Sequence, residues 1–252
     1  MGVMNNSDAA LQARLESERA FHDNRYKDGE SRTAQLKYYW AIDDGAHRFN
    51  QKIASLAKGA DILEYGCGLH SQAGDLADVC RSFEAIDISD AAVQRLRSEY
   101  KASNVNFSVM DAMNLTFPEN SFDLVYGSGI VHHLDVEACA REVSRVLRPG
   151  GTALFWEPLG YNPIINAYRW LTPSARTPDE HPLLLQDFDI FKRSFGSFEL
   201  ELFGLTSIAA VPFRDRPIGP AVKNALTKLD ELIFSIPGVR YLAWYSIIYC
   251  KK

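Results

Sequence analysis

Gly66 and Gly68 stand one residue apart, directly behind an apolar run that carries a carboxylate, Ile62-Leu63-Glu64-Tyr65, and they enclose Cys67. Glycines there permit the unusual dihedrals of a tight strand-to-helix turn, let a ligand approach the backbone, and leave the N–H groups of the following helix facing it. Glycine turns after strands also occur for structural reasons alone. Two acidic residues at the ends of later apolar runs extend the set. Asp87, about 20 residues beyond the loop, is where a carboxylate accepts hydrogen bonds from ribose hydroxyls. Asp111 is similarly placed for an adenine amino group, although each acid taken singly also reads as a helix cap.

A second cluster could move a proton. His132 and His133 follow a fourth apolar run, with Asp135 near enough to orient an imidazole. A neutral histidine is the natural proton acceptor near pH 7. His133 is the preferred base, and the alternative is that one of the pair packs against the sheet or caps the next helix. Glu157, ending the fifth run before Pro158, faces the same cleft and could bind a cationic acceptor, or else is a solvated loop carboxylate. The pair of adjacent histidines has no recognised metal-ligand spacing, and no metal is expected.

Short apolar runs separated by helical segments must position these residues. Ile62 to Tyr65, Phe83 to Ile88, Val105 to Met110, Phe122 to Tyr126 and Thr152 to Trp156 read as five parallel strands, with crossover helices near 72–80, 89–102 and 135–147. Right-handed crossovers bring the carboxyl ends of the strands to one edge, where ligands bind at the topological switch point. Phe198 to Leu205 and Leu242 to Cys250 are further strands, with a helix at 221–234 between them. Ahead of the sheet, Leu11, Leu15, Phe21 and Tyr26 recur with a helical period over 9–27, and a second helix is expected around 33–57. Tyr38, Tyr39 and Trp40 would pack that helical region onto the sheet or stack on a planar ligand, and His22 has the same two readings.

With 27 Lys and Arg against 32 Asp and Glu, the net charge of -5 gives no field favouring nucleic acid or an anionic membrane. No run of eighteen apolar residues occurs, so stable membrane insertion is not expected. Cys67, Cys80, Cys139 and Cys250 are scattered without a CxxC pair, which argues against a disulfide framework and for a cytoplasmic setting. Oligomeric state cannot be read from these features.

Taken together, Glu64-Tyr65-Gly66-Cys67-Gly68, Asp87, Met110-Asp111-Ala112, Ser121-Phe122-Asp123-Leu124-Val125-Tyr126, His132-His133-Leu134 and Val146-Leu147-Arg148-Pro149-Gly150-Gly151 resemble the class I S-adenosylmethionine-dependent methyltransferases. The likeness is to the ubiquinone/menaquinone-biosynthesis-like, methyltransferase type 11, branch and covers about residues 58–158. It implies an α/β, Rossmann-like fold: a seven-stranded, mostly parallel sheet with helices on both faces. An N-terminal helical lid (1–57) would precede the methyltransferase domain (58–252), whose cover insertions would lie at about 159–195 and 207–240.

By the same resemblance S-adenosyl-L-methionine is the cofactor. Glu64 would orient its methionine end, Tyr65, Gly66, Cys67 and Gly68 would pass beneath it, and Asp87 would hold the ribose. Ile88 would pack on adenine, Asp111 and Ala112 would line the adenine pocket, and Gly127 or Ser128 would add backbone contacts. His70 stands where the family usually has a third glycine. The implied reaction is methyl transfer to N or O of a small-molecule acceptor. Alternatives are C-methylation of a quinone-like or lipid-like precursor and a non-catalytic cofactor-binding regulator. Nicotinamide-dinucleotide binding would need a glycine at Ser71 and would set Glu64 against a pyrophosphate.

Overall fold

The computed structural model describes Glu16, Arg19, Asp23 and residues 37–172 and 181–252. Its strands are β1 (Asp61–Tyr65), β2 (Ser82–Asp87), β3 (Val105–Val109), β4 (Phe122–Ser128), β5 (Leu147–Pro158), β6 (Ser197–Phe203) and β7 (Tyr245–Lys251). Its helices are α1 (Asp43–Ala57), α2 (Ala73–Leu76), α3 (Asp90–Glu99), α4 (Val136–Val146), α5 (Pro163–Leu171), α6 (Leu185–Ser194) and α7 (Gly219–Phe234). The strands make one sheet in the order β3-β2-β1-β4-β5-β7-β6. β1 to β5 are parallel, and β7 runs antiparallel between β5 and β6.

The central strands are apolar on both faces because both faces are covered, as parallel sheets require. Tyr65, Val125 and Phe155 pack beneath α4 and α6 with Val143, Phe188 and Phe191, while Ile62, Leu154 and Trp156 pack against Phe49, Ile53, Val93 and Leu96 on the other side. In α4 the buried residues Val136, Cys139, Ala140, Val143 and Val146 recur every three or four positions, the stripe that turns a helix into a sheet cover. Burying each of its larger side chains contributes about 1.5 to 3 kcal/mol. Asp135 caps this helix, its side chain accepting from Ala138 N at 2.9 Å.

Element boundaries depart from the expected ones where backbone pairing overrides local pattern. The segment 72–80 is helical only over Ala73–Leu76, because the chain must turn back at once into β2: Gly59 N donates to Val79 O and Arg81 N to Ala60 O, both at 2.8 Å. β5 begins at Leu147 rather than Thr152, paired with β4 across an irregularity between Phe122 and Leu124. Of the expected helix at 9–27, Glu16, Arg19 and Asp23 are described and are helical, and the rest, His22 included, lies outside the described residues, as does most of the loop around 176–182.

β1 sits between β2 and β4, so the connections leaving β1 and β4 diverge, and their carboxyl ends form the crevice of a doubly wound sheet. The opposite edge is tied by charge. Arg81 and Arg148 each contact both Asp61 and Asp123 at 2.7 to 2.8 Å. Burial pushes the Asp61 carboxyl up, but hydrogen bonds from Arg81, Ser82 and Arg148 outweigh it and hold the group down at about 2.

Candidate active site

The loop after β1 is shaped by its glycines. Gly66 has φ +78°, and a Cβ there would lie 2.8 Å from Ile130 Cδ1. The exposed His70 needs no such freedom: among the described residues, Asn120 is the one non-glycine with positive φ. The N–H groups of the helix after this loop are expected to face a ligand; five N–H groups from the loop to the helix start are instead bonded within the protein. Gly66 N and Cys67 N both donate to Ile86 O at 2.9 Å, and Gly68 N donates to Asp87 Oδ2 at 2.8 Å. Gln72 N donates to Glu64 Oε1 at 3.2 Å, and Ala73 N to Ser71 Oγ at 3.1 Å. A dinucleotide pyrophosphate needs such N–H groups turned outward. The loop instead closes around the carboxylates of buried Glu64 and half-buried Asp87, negative charge that suits a cationic ligand.

Glu64 is 4% exposed. Its carboxylate accepts from Ser71 Oγ, Gln72 N and, at 3.0 Å, Tyr126 Oη. Burial pushes this carboxyl up to about 7, against the lowering effect of those three donors. Asp87 closes the neighbouring turn as well, its Oδ1 accepting from Ser89 N at 2.9 Å. Just beyond, Arg19 Nε donates to Ile88 O at 3.2 Å and Ser89 Oγ donates to Asp23 Oδ1, so two N-terminal residues reach the end of β2.

After β3, Asp111 Oδ1 accepts from Met113 N at 2.8 Å, and the Tyr65 hydroxyl donates to Ala112 O, linking the β1 and β3 ends. At the end of β4, Gly127 is a close-approach residue, since a Cβ would lie 2.6 Å from Tyr65 O. Ser128 is exposed. The structure thus gathers Glu64, Tyr65, Gly66, Cys67, Gly68, Asp87, Ile88, Asp111, Ala112, Gly127 and Ser128 at the ends of β1 to β4.

The histidine cluster differs from its expected wiring. Glu157 is 0% exposed, neither a solvated carboxylate nor one open to an acceptor. Its Oε1 accepts from Ile130 N and Val131 N, both at 2.9 Å, and its Oε2 lies 2.7 Å from His132 Nδ1. The reason is geometric. The turn Val131–His133 leaves backbone N–H groups pointing at the end of β5, and burying them without an acceptor would be costly. Asp135, expected to orient an imidazole, caps α4 instead. His132 is 4% exposed, and the half-buried His133 ring sits against it, centroids 4.2 Å apart.

Tyr126, Ser71 and Ile130 complete the site and were not singled out from sequence. The aromatic run before α1 packs: Tyr39 stacks on Trp244 at 5.3 Å and Tyr38 tilts against Tyr168 at 5.6 Å. Among the described residues no cluster of three His, Cys, Asp or Glu could hold a metal, and no helix is long and apolar enough to cross a membrane.

Residues 63–155 match the methyltransferase domain family. The chain is 33% identical over 180 residues to the methyltransferase GfsG of Streptomyces halstedii, covering 69% of this chain and 63% of that one. It is 27% identical over 166 residues to a sterol 24-C-methyltransferase of Aspergillus fumigatus, covering 64% of this chain and 39% of that one. The chain therefore spans less than two thirds of the length of these relatives. Among solved structures, Haemonchus contortus phosphoethanolamine N-methyltransferase 2 in complex with S-adenosyl-L-methionine is similar with a TM-score of 0.60 at 18% identity, over 93% of this chain and 59% of that one, a likeness of fold.

Proposed function

We propose, from the premise that this chain carries a class I methyltransferase domain, that it transfers a methyl group from S-adenosylmethionine to a nitrogen or oxygen of a small-molecule acceptor. Support for the cofactor comes from the donor set: loop N–H groups turned inward, two carboxylates, Glu64 and Asp87, beside that loop, and a third acid, Asp111, at the next strand end. Glu64 would take the ammonium, Asp87 the ribose, and the Asp111–Ala112 turn the adenine. Arg19 and Asp23, held at Ile88 and Ser89, support the reading of the N-terminal residues as a lid over that pocket. The cofactor supplies a methyl group on a sulfonium, which an aligned nucleophile displaces in line.

The observation that carries the choice of N or O is the buried Glu157–His132 pair. In the tautomer that donates from Nδ1 to the Glu157 carboxylate, the other ring nitrogen of His132, Nε2, is the acceptor. An imidazole so oriented would take, at Nε2, the proton that an amine or hydroxyl acceptor gives up on methylation. We assign this role to His132 rather than to His133, the base preferred from sequence, because it is His132 Nδ1 that meets Glu157, while the His133 ring packs against it. The test is product analysis after incubation with labelled adenosylmethionine and panels of amines, phenols and alcohols. N- or O-methylated products support the assignment, and methylation at carbon alone replaces it with the quinone-like or lipid-like alternative. Cofactor binding with no turnover on any class would favour a regulatory module.

A further inference from the structure

We propose that Tyr126 is a positioning residue for cofactor recognition: its phenol O–H fixes and stabilises the ionised carboxylate of Glu64, the group that receives the cofactor's ammonium. The inference rests on the adenosylmethionine reading and adds a residue that acts through Glu64.

Strand register makes the pairing. Glu64 on β1 lies beside Ala85 on β2 and Tyr126 on β4, so these side chains share one face of the sheet. Ala85 offers no donor, whereas Tyr126, itself buried, reaches Glu64 Oε1 at 3.0 Å. The Tyr126 ring is held edge-on by Phe49 and Phe83, with centroids 6.4 and 6.5 Å away, so the hydroxyl is aimed by packing. Oε1 then accepts from Gln72 N and Tyr126, and Oε2 accepts from Ser71 Oγ. A carboxylate has about four acceptor positions, three of which the protein fills, and the proposal assigns the remaining one, on Oε2, to the cofactor's ammonium.

Charge sets the consequence. Asp87 and the Cys67 thiol are the other titratable groups facing Glu64, and neither stabilises an anion there. Burial already brings the Glu64 carboxyl up to about 7. Loss of the phenol donor raises it further, so at neutral pH more of the protein holds a protonated Glu64, which is a poor partner for an ammonium. A hydrogen bond to a charged group is worth enough for about a tenfold change in affinity.

The experiment is calorimetric binding of S-adenosylhomocysteine and of 5′-methylthioadenosine, which lacks the amino acid moiety, from pH 6 to 8.5, to the wild-type chain, Tyr126→Phe and Glu64→Gln. Thermal melts first confirm that each variant is folded. Tyr126→Phe should bind adenosylhomocysteine about tenfold more weakly at pH 7, recover affinity as the pH rises, and bind methylthioadenosine as the wild type does. Glu64→Gln should abolish the pH dependence. Equal losses for both ligands in Tyr126→Phe, or no loss for either, would overturn the proposal. If the wild-type chain binds neither compound, it is the cofactor reading that falls, and this inference with it.

Discussion

His132 and Glu157, on different segments, meet in the protein interior: Nδ1 of the one lies 2.7 Å from Oε2 of the other, and the second carboxylate oxygen accepts two backbone N–H groups. One side chain therefore both holds the turn after β4 and orients an imidazole. Glu157→Ala would strand Ile130 N, Val131 N and His132 Nδ1, and at about 1 to 3 kcal/mol for each donor left unsatisfied should cost about 3 to 5 kcal/mol of stability. Glu157→Gln keeps the ring of contacts but weakens the control over the His132 tautomer. It should lower kcat by about 10²-fold while leaving adenosylmethionine affinity near wild type, as single-turnover kinetics and calorimetry would show.

Asp87 gives a separate handle on the cofactor. Asp87→Ala removes the partner of Gly68 N and, in the proposed role, the acceptor for the ribose hydroxyls, and should weaken adenosylmethionine binding by about 1 to 3 kcal/mol. Asp87→Asn retains one acceptor and should fall between the two. Unchanged affinity in a folded Asp87→Ala protein would contradict the assignment.

Much of this was legible in the chain. Seven apolar runs with intervening helical patterns specify the sheet, and Gly66, Gly68, Asp87 and Asp111 mark strand ends because turn geometry and strand termini are local properties. What was not legible arises from register. Glu64 and Tyr126 become neighbours only once β1 pairs with β4. Glu157 meets His132 only because the end of β5 lies beside the turn leaving β4. From sequence Asp135 looked like the partner of the histidines by proximity alone, yet a residue just ahead of a helix is better used as its cap.

Gly66 tests the loop directly. Gly66→Ala must hold an L-residue near φ +78° and press its Cβ on Ile130. The left-handed conformation alone costs about 1 to 2 kcal/mol. With the close contact added, Tm should drop by about 5 to 10 °C, and adenosylmethionine affinity should fall with it. Measured against Ile130→Ala alone, whose truncation carries its own cost, the Gly66→Ala loss in Tm should be smaller but not abolished. Its abolition would show that contact rather than backbone conformation sets the requirement for glycine.

The far edge of the sheet should show its own pH dependence. Asp61 is held at about 2 in the folded chain, below its ordinary value of 3.8. Its contribution to stability is therefore present above about pH 4 and is lost as the pH falls through 2. Thermal melts of wild type and Asp61→Asn should differ most at neutral pH and converge on acidification. A gap that is constant down to pH 2 would mean that the Arg81 and Arg148 contacts do not depend on the Asp61 charge.

The most direct test of the account is calorimetric titration of the purified chain with adenosylmethionine, adenosylhomocysteine and NADH. A loop whose N–H groups close on Ile86 O and Asp87, with Glu64 buried behind it, predicts micromolar binding of the first two and none of the third. Tight NADH binding, or no binding of either adenosyl compound, would contradict it.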